Sequence, residues 1–315
     1  MSFSYQFIIW IFITFKIGIQ GKRGEALNRL PRKGGFFMKS LNQLREERPH
    51  HSYSSLNQYL NCSLAYAFKY VYRIEPEFVP ANLAFGTAFH DTASFLLTQK
   101  KSGKIENIDT AREIFGSYWD ACVNERIRFD SDSASELKAK GLDMISEFWK
   151  NWNPDDSVID IELTFCVPIP DGEGGYIETP LIGEFDIIIK DRFGEILIVD
   201  LKTAAKKWAE NKADKELQAT VFSYAWQFEN GNIPRFRYDI ITKTKKPEYV
   251  QLFTERHPED FLMLTQLVQT VERARIHSVF LPNCSSFFCN GCQFSKACMK
   301  WRSGEKFEVK IPKAA

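Results

Sequence analysis

The sequence has almost no excess of either sign of charge. Its 41 Lys and Arg residues and 40 Asp and Glu residues leave a formal net charge of +1 over 315 residues. A chain this close to neutral exerts no overall field on a polyanion, so any contact with nucleic acid must depend on local basic patches. The hydrophobic share of 44% is typical of a globular protein with one large domain or two small ones.

Apolar runs long enough to cross a membrane are also missing from the sequence. The segment Phe7–Phe15 reads FIIWIFITF, whereas a membrane span needs about twenty apolar residues. No basic segment precedes it, as a secretory signal would require. We therefore expect a cytoplasmic protein that has no membrane among its partners.

The first residues of the chain have three interpretations. The run KGGFFM at 33–38 back-translates to a purine-rich ribosome-binding sequence just before a start codon. We therefore expect Met38 to be the natural start and residues 1–37 to be a non-native or disordered extension. A membrane-associating or targeting segment and an ordered native element are the two alternatives.

The pattern of apolar residues changes from helical to strand-like along the chain. In the first half apolar residues recur at a spacing of three to four, which predicts helices. The middle contains alternating runs and a tight turn, DRFG at Asp191–Gly194, which predicts a β-hairpin. We expect one α/β domain with a mixed central sheet flanked by helices. The predicted helices are 53–73, 84–99, 110–126, 135–152, 212–228 and 257–278, and the predicted strands are 158–169, 177–190, 195–201, 237–242 and 248–254.

A carboxylate and an amine end one of the predicted strands. Asp200 and Lys202 follow the apolar run Ile196–Val199, and they share a face because side chains alternate along a strand. A hairpin would place Asp186 on the adjacent strand, beside Asp200. Paired carboxylates at the rim of a sheet suit Mg²⁺ or Mn²⁺, which can activate water. A neighbouring lysine can stabilise the pentacovalent transition state of phosphodiester hydrolysis, although such a pair taken alone is more often surface decoration.

The motifs around this pair resemble the RecB-like branch of the PD-(D/E)XK nuclease superfamily. That branch has a Gly-x-x-Asp strand, a hairpin and then Asp/Glu-x-Lys-Thr. Gly183 and Asp186 match the first element, and Asp200, Lys202 and Thr203 match the second. The resemblance implies a PD-(D/E)XK restriction-endonuclease-like core, with a helical N-terminal half.

Two further motifs of that branch occur in the expected order. Gly86 and His90 match an upstream Gly-x-x-x-His, and Gln218 matches the start of a downstream Gln-x-x-x-Tyr. Phe222 stands where that motif has its tyrosine, and Tyr224 lies two residues later. The resemblance implies that the metal ligands are His90, Asp186, Asp200 and the main-chain carbonyl of Leu201. It further implies that Lys202 assists the attacking water and that Gln218 orients Lys202 or the scissile phosphate.

Cysteines concentrate near the C-terminus. The chain has 7 cysteines, an odd number that argues against a disulfide framework and indicates a reducing compartment. Cys289, Cys292 and Cys298 form C-x2-C-x5-C. A zinc ion or a 4Fe-4S cluster would take four thiolates, and the spacing leaves Cys284 and Cys62 as alternatives for the fourth.

The family resemblance favours the cluster. CRISPR-associated RecB-like exonucleases and AddB-type helicase–nucleases place one cysteine before the nuclease core and a similar triple after it. This implies a 4Fe-4S cluster held by Cys62, Cys289, Cys292 and Cys298, with Cys284 in reserve. The cluster would staple the C-terminus to the N-terminal helix. We expect a nuclease domain at 38–305, with a helical insertion at about 104–153, a cluster-binding segment at about 282–301 and a tail at 306–315.

Two basic loops follow predicted strands. Lysines in loops are usually just solvated, but at the same end of the sheet as the acids they can neutralise phosphates. Trp208 or Tyr249 could then stack on a base. The predicted DNA-binding lysines are Lys206, Lys207, Lys243, Lys245 and Lys246.

We expect a metal-dependent DNA exonuclease that acts on single strands or duplex ends, in recombination, repair or CRISPR adaptation. The alternative is an iron–sulfur DNA-binding subunit of a larger helicase–nuclease or adaptation complex, with incidental cleavage. A zinc-stabilised protein of unrelated function is the third hypothesis. The sequence contains no G-x-x-x-x-G-K-[ST] phosphate loop, so any helicase partner is another chain.

Overall fold

The computed structural model describes residues 39–47 and 49–309. The predicted extension at 1–37 and the last residues of the predicted tail, 310–315, lie outside the described residues. The strands are β1 (Val79–Pro80), β2 (Ile127–Arg128), β3 (Ser157–Val167), β4 (Leu181–Lys190), β5 (Ile196–Ala204), β6 (Arg235–Thr242) and β7 (Tyr249–Thr254). The helices are α1 (Leu41–Glu47), α2 (Tyr53–Asn61), α3 (Ser63–Tyr66), α4 (Ala81–Lys101), α5 (Ile108–Cys122), α6 (Ala134–Asn151), α7 (Lys212–Lys215), α8 (Leu217–Asn230), α9 (Pro258–Ile276) and α10 (Ser295–Arg302).

A mixed sheet forms the centre of the described part of the chain. Its five strands lie in the order β3-β4-β5-β6-β7. The pair β5–β6 is parallel and the other pairs are antiparallel. Parallel neighbours need a crossover connection, which α7 and α8 supply. This arrangement confirms the predicted α/β fold with a mixed sheet flanked by helices.

The central strand, β5, divides its side chains between two helical layers. Leu197 and Val199 are buried in a core with α4, α5 and α6. Ile198 is buried in the opposite core, which contains residues of α2, α3, α8 and α9. Because side chains alternate along a strand, Asp200 and Lys202 continue the face of Ile198. The sheet therefore directs both groups towards the layer that contains α2 and α8.

One predicted helix is interrupted in the structure. The sequence predicts a single helix over 53–73, but α2 ends at Asn61 and Cys62 takes an extended conformation, with φ −164° and ψ 106°. The chain then re-enters a helix and finishes in a π-helical turn, Ala67–Val71. The helix predicted over 212–228 is likewise broken by extended backbone at Glu216. Each break lies at a residue bonded to a distant part of the chain, since Cys62 Sγ accepts from the Asn283 N–H and Glu216 O accepts from Arg256. The periodicity of a local segment does not report such contacts.

Among the helices that the structure describes, none is long and apolar enough to cross a lipid bilayer.

Gly183, the glycine of the Gly-x-x-Asp motif, occupies a position that has no room for a side chain. It pairs with Phe165 across β3 and β4, and a Cβ atom there would lie 2.3 Å from the Phe165 ring. That ring is 1% exposed and packs against Phe185 and Phe222, so it has little room to move.

We expect Gly183→Ala to lower the free energy of unfolding by about 1–3 kcal/mol, the usual cost of overpacking a core. Urea denaturation of the two proteins measures this change. Gly86→Ala is the control and should not be destabilised. The atom nearest to its added Cβ would be Thr203 Oγ1 at 3.9 Å, and alanine is about 1 kcal/mol more favourable than glycine inside a helix. Equal stability of Gly183→Ala and the parent protein would contradict the steric explanation.

Candidate active site

Asp200 and Lys202 form an ion pair at the end of β5. Asp200 is 0% exposed, and its Oδ2 lies 2.6 Å from Lys202 Nζ, whose side chain is 26% exposed. On the other side, Gln218 of α8 donates from Nε2 to Asp200 Oδ1 at 2.5 Å. The carboxylate is therefore held at both oxygens.

The pair has unusual protonation properties. Burial raises the pKa of Asp200 to about 7, and Asp186 acts in the same direction, whereas Lys202 opposes the shift. Burial lowers the pKa of Lys202, but the carboxylates of Asp200 and Asp186 outweigh it and raise that pKa above its usual value. The amine therefore stays charged at neutral pH, and burial makes the Asp200 carboxyl group harder to ionise than an exposed one.

A second set of groups converges beside this pair. His90, on α4, has Nε2 2.7 Å from the Leu201 carbonyl oxygen and Nδ1 3.5 Å from Asp186 Oδ2. The Leu201 N–H donates to the same Asp186 oxygen at 3.1 Å. Asp186 lies on β4, one position beyond the last β4–β5 pair, Ile187 with Val199. The structure thus brings His90, Asp186 and the Leu201 main chain together next to Asp200.

Tyr53 lies near the ion pair and belongs to no motif that the sequence offers. It is the first residue of α2, whose capping residue is Ser52. Burial raises the pKa of Tyr53, Lys202 lowers it, and Glu216 and Asp200 raise it further. These interactions place the start of α2 within electrostatic reach of the pair. Only the tertiary approach of α2 to β5 reveals this neighbour.

A cavity lined by cysteines lies at the other end of α2. Its volume is about 200 Å³. Asn283 N–H donates to Cys62 Sγ at 3.4 Å, Phe294 N–H donates to Cys292 Sγ at 3.4 Å, and Arg302 Nη2 donates to Cys284 Sγ at 2.7 Å. The cysteines that line the cavity are Cys62, Cys284, Cys289, Cys292 and Cys298. All the predicted cluster ligands and the reserve cysteine therefore meet in one place.

Neither the His90, Asp186 and Asp200 side chains nor the cysteines of the cavity are close enough together to form a complete metal site from side chains alone. Within residues 39–47 and 49–309, no three His, Cys, Asp or Glu side chains are grouped so that they could hold a metal ion. Around His90 and Asp186 the third approaching group is a main-chain carbonyl, Leu201 O, and the Asp200 carboxylate is bound by Lys202 and Gln218.

The loops after β5 and β6 leave the same end of the sheet. Ala204 pairs with Thr242 at the last position of the parallel pair. Lys243 is partly buried, because its Nζ contacts Asn82 Oδ1 at 2.5 Å and lies over the Phe85 ring, and burial lowers its pKa. The exposed lysines of these loops are Lys206, Lys207, Lys245 and Lys246.

The two aromatic residues suggested for base stacking are engaged within the protein. Trp208 packs against the Tyr238 ring at 5.2 Å, and Lys212 Nζ lies 3.9 Å from its ring centroid. The Tyr249 hydroxyl donates to Asp239 Oδ2 at 2.6 Å. Asp239 is part of a buried ion-pair network with Arg237 and Asp156 that the sequence motifs do not indicate.

Comparison with known proteins gives one family. The family model of the PD-(D/E)XK nuclease superfamily matches residues 50–299. Among solved structures, a "putative exonuclease" from Eubacterium rectale has a TM-score of 0.47 and 13% identity, covering 82% of this chain and 94% of that chain. The protein SSO0001 has a TM-score of 0.34 and 13% identity, covering 78% of this chain and 92% of that chain. No curated protein sequence matches the chain.

Proposed function

This chain belongs to the PD-(D/E)XK nuclease superfamily, and we propose that it is a divalent-metal-dependent DNA exonuclease of the RecB-like branch. The observation that carries this proposal is the Asp200–Lys202 ion pair at the end of β5, beside the approach of His90, Asp186 and the Leu201 carbonyl. All the acidic and basic groups that the motif needs are present, which favours an active nuclease over a decayed one.

The donor set fits a hard divalent cation. An imidazole nitrogen, two carboxylates and a main-chain carbonyl are ligands that Mg²⁺ and Mn²⁺ accept. The residues that would hold the ion are His90, Asp186, Asp200 and, through its carbonyl, Leu201. When bound there, a divalent cation supplies Lewis-acid stabilisation of a phosphoryl oxygen and lowers the pKa of water.

The protein's own groups have separate roles around the scissile phosphate. Lys202 carries a charged amine on a partly exposed side chain, so it can donate to a phosphate oxygen or to the attacking water as negative charge develops. Gln218 contacts Asp200 rather than Lys202. It therefore fixes the orientation of the Asp200 carboxylate, which in turn positions the Lys202 amine. Tyr53, at the start of α2, interacts electrostatically with both members of the pair.

We also propose that the cysteine cavity holds a 4Fe-4S cluster through Cys62, Cys289, Cys292 and Cys298. Main-chain N–H groups donate to Cys62 Sγ and Cys292 Sγ, and donors of this kind stabilise thiolate ligands of iron. The Arg302–Cys284 contact leaves Cys284 with a partner of its own. A helicase or CRISPR adaptation proteins would be separate chains.

Digestion of end-labelled DNA tests the proposed nuclease function. Single-stranded, blunt and recessed-end substrates are incubated with Mg²⁺, with Mn²⁺ and with a chelator. We expect progressive shortening from an end only when a divalent cation is present. Binding of DNA without cleavage under every condition would instead support a DNA-binding subunit, and neither binding nor cleavage would refute both functions.

We expect the exposed lysines near the site to contact DNA phosphates. The double variant Lys206→Ala/Lys207→Ala should reduce the slope of log affinity for single-stranded DNA against log salt by about 1.4, since each neutralised phosphate contributes about 0.7. Fluorescence anisotropy over a salt series measures this slope. The matched control is Lys190→Ala/Arg192→Ala, two exposed cations at the opposite end of β5, which should leave the slope unchanged. Equal slopes for both double variants would exclude this loop from the DNA path.

A further inference from the structure

Two adjacent phenylalanine side chains stand in solvent beside the cysteine cavity. Phe287 is 89% exposed and Phe288 is 61% exposed, and their ring centroids lie 5.8 Å apart at an interplanar angle of 80°. They belong to a short 3₁₀ helix, Phe287–Cys289, after a capping serine, Ser286. Single exposed apolar residues are common, but a fixed pair of exposed rings is typical of a binding surface.

The chain segment that carries the pair has more cationic than anionic side chains. The sequence from Arg273 to Gly304 contains no Asp or Glu. Glu77 reaches this segment from outside and accepts from the Lys296 N–H, and Glu305 pairs with Lys300. The segment's own cations are Arg273, Arg275, Lys296, Lys300 and Arg302. Arg275 is paired with Glu272, and Arg302 lines the cavity together with Phe288. An excess of cations beside exposed rings complements a ligand that has both anionic and flat aromatic groups.

Helix α2 connects the aromatic pair to the ion pair. Its first residue, Tyr53, interacts electrostatically with Lys202 and Asp200, and Gln58 near its other end lines the cavity together with Phe288. The Asn283 side chain donates to Asn61 O at 3.0 Å, which fixes the cysteine segment to the end of the helix. Nine helical residues span about 14 Å. No residue of α2 is charged, so a polyanion laid along it meets no repulsion.

We infer that Phe287 and Phe288 form a base-stacking subsite for single-stranded DNA, about one helix length from the catalytic ion pair. This inference rests on the proposed nuclease function. A single strand presents the faces of its bases, whereas in a duplex those faces are covered by neighbouring pairs. The aromatic rings would hold bases by stacking, and the cations of the segment would neutralise the phosphates between them. The strand would then lie along α2 with its end at Lys202.

The test measures the affinity of the full chain for a fluorescent single-stranded oligonucleotide in the presence of a chelator, so that no cleavage occurs. Phe287→Leu/Phe288→Leu keeps the surface apolar but removes the aromatic faces. We expect it to bind at least about fivefold more weakly, the lower end of what one stacked base contributes. Phe287→Tyr/Phe288→Tyr should bind as the parent protein does, and affinity for a blunt duplex should not change.

The control variant removes two exposed phenylalanines elsewhere. Phe193 is 75% exposed and Phe253 is 49% exposed, so Phe193→Leu/Phe253→Leu should retain full affinity for the single strand. Oligonucleotides with an abasic position provide a second measure. At the stacked position the abasic change should weaken binding to the parent protein and have little further effect on the leucine variant.

Each outcome either supports or overturns the subsite. Unchanged single-strand affinity in the leucine variant overturns it, and a shift of that variant from oligomer to monomer would identify the rings as a contact between copies of the chain. If the parent protein cleaves DNA and the leucine variant binds single-stranded DNA as tightly as the parent does, only the stacking subsite is refuted and the proposed nuclease function stands. If the parent protein neither binds nor cleaves DNA, the proposed function fails with it.

Discussion

Replacing Lys202 with alanine is expected to slow DNA hydrolysis by about 10²–10³-fold, the usual effect of removing one group that stabilises developing negative charge. The fold should survive the change. Lys202 is the charged partner of the buried Asp200, but the pKa of that carboxyl group is already raised to about 7. Once the amine is gone, Asp200 can take up a proton instead of remaining an unpaired buried charge. Initial rates of digestion with Mg²⁺ and with Mn²⁺ measure the loss.

Two controls separate catalysis from general charge effects. Lys190→Ala removes an exposed lysine at the far end of β4 and should keep the parent rate. Lys202→Arg keeps the positive charge, but a guanidinium cannot reproduce the compact ammonium in the space beside Asp200, so it should remain well below the parent rate. Circular dichroism should show native helix and strand content in all three variants. Parent-level cleavage by Lys202→Ala would remove the lysine from the mechanism.

Replacing Cys298 with serine is expected to abolish iron binding and to lower the thermal unfolding midpoint by roughly 5–15 °C. A metal cluster that joins distant segments contributes to folding much as a cross-link does, and losing such a link costs about 2–5 kcal/mol. Cys62→Ser should have the same effect, because Cys62 lies at the end of α2 and reaches the same cavity. Iron content, visible absorbance and thermal denaturation of the purified proteins measure these changes.

The remaining cysteines provide matched controls. Cys122, on α5, is partly buried outside the cavity, so Cys122→Ser should keep its iron and its colour. Cys284→Ser should also keep the iron, which would show that the Arg302-bonded thiol is not a ligand. Loss of iron from Cys284→Ser but not from Cys62→Ser would make Cys284, and not Cys62, the fourth ligand of the cluster. A colourless parent protein with bound zinc would replace the cluster with a zinc site.

The presence of the five long strands and the hairpin between β4 and β5 could be predicted because each strand carries its own apolar signal. The apolar run before Asp200 is buried on both faces, and the DRFG turn joins β4 to β5 as a hairpin. The position where β4 begins was less predictable, since the predicted strand starts at 177 but β4 starts at Leu181. The stretch 177–180 ends in Pro180, which lacks the N–H that a ladder needs, and the paired strand begins after it, with Leu181 opposite Val167.

The site was less predictable because its contacts join distant parts of the chain. The motif pattern could place Asp200 and Lys202 on one face, as spacing alone fixes that. The sequence could not show that Gln218 bonds to Asp200, or that Tyr53 interacts electrostatically with the pair, since both depend on how α8 and α2 pack on the sheet. The buried Arg237 network was missed for the same reason, because Asp156 and Asp239 lie on different elements.

The ion pair lies on β5, the middle strand of the five in the described sheet, which is two strands away from either edge. Backbone in such a position cannot fray from an edge, and it opens only when the surrounding strands separate. At low denaturant concentration the helices that pack on the sheet and the edge strand β7 should therefore unfold before β5 does. Asp186, Asp200 and Lys202, which all lie on β4 and β5, would keep their mutual geometry until the last cooperative unit of the domain unfolds, whereas His90 and Gln218 would leave with their helices.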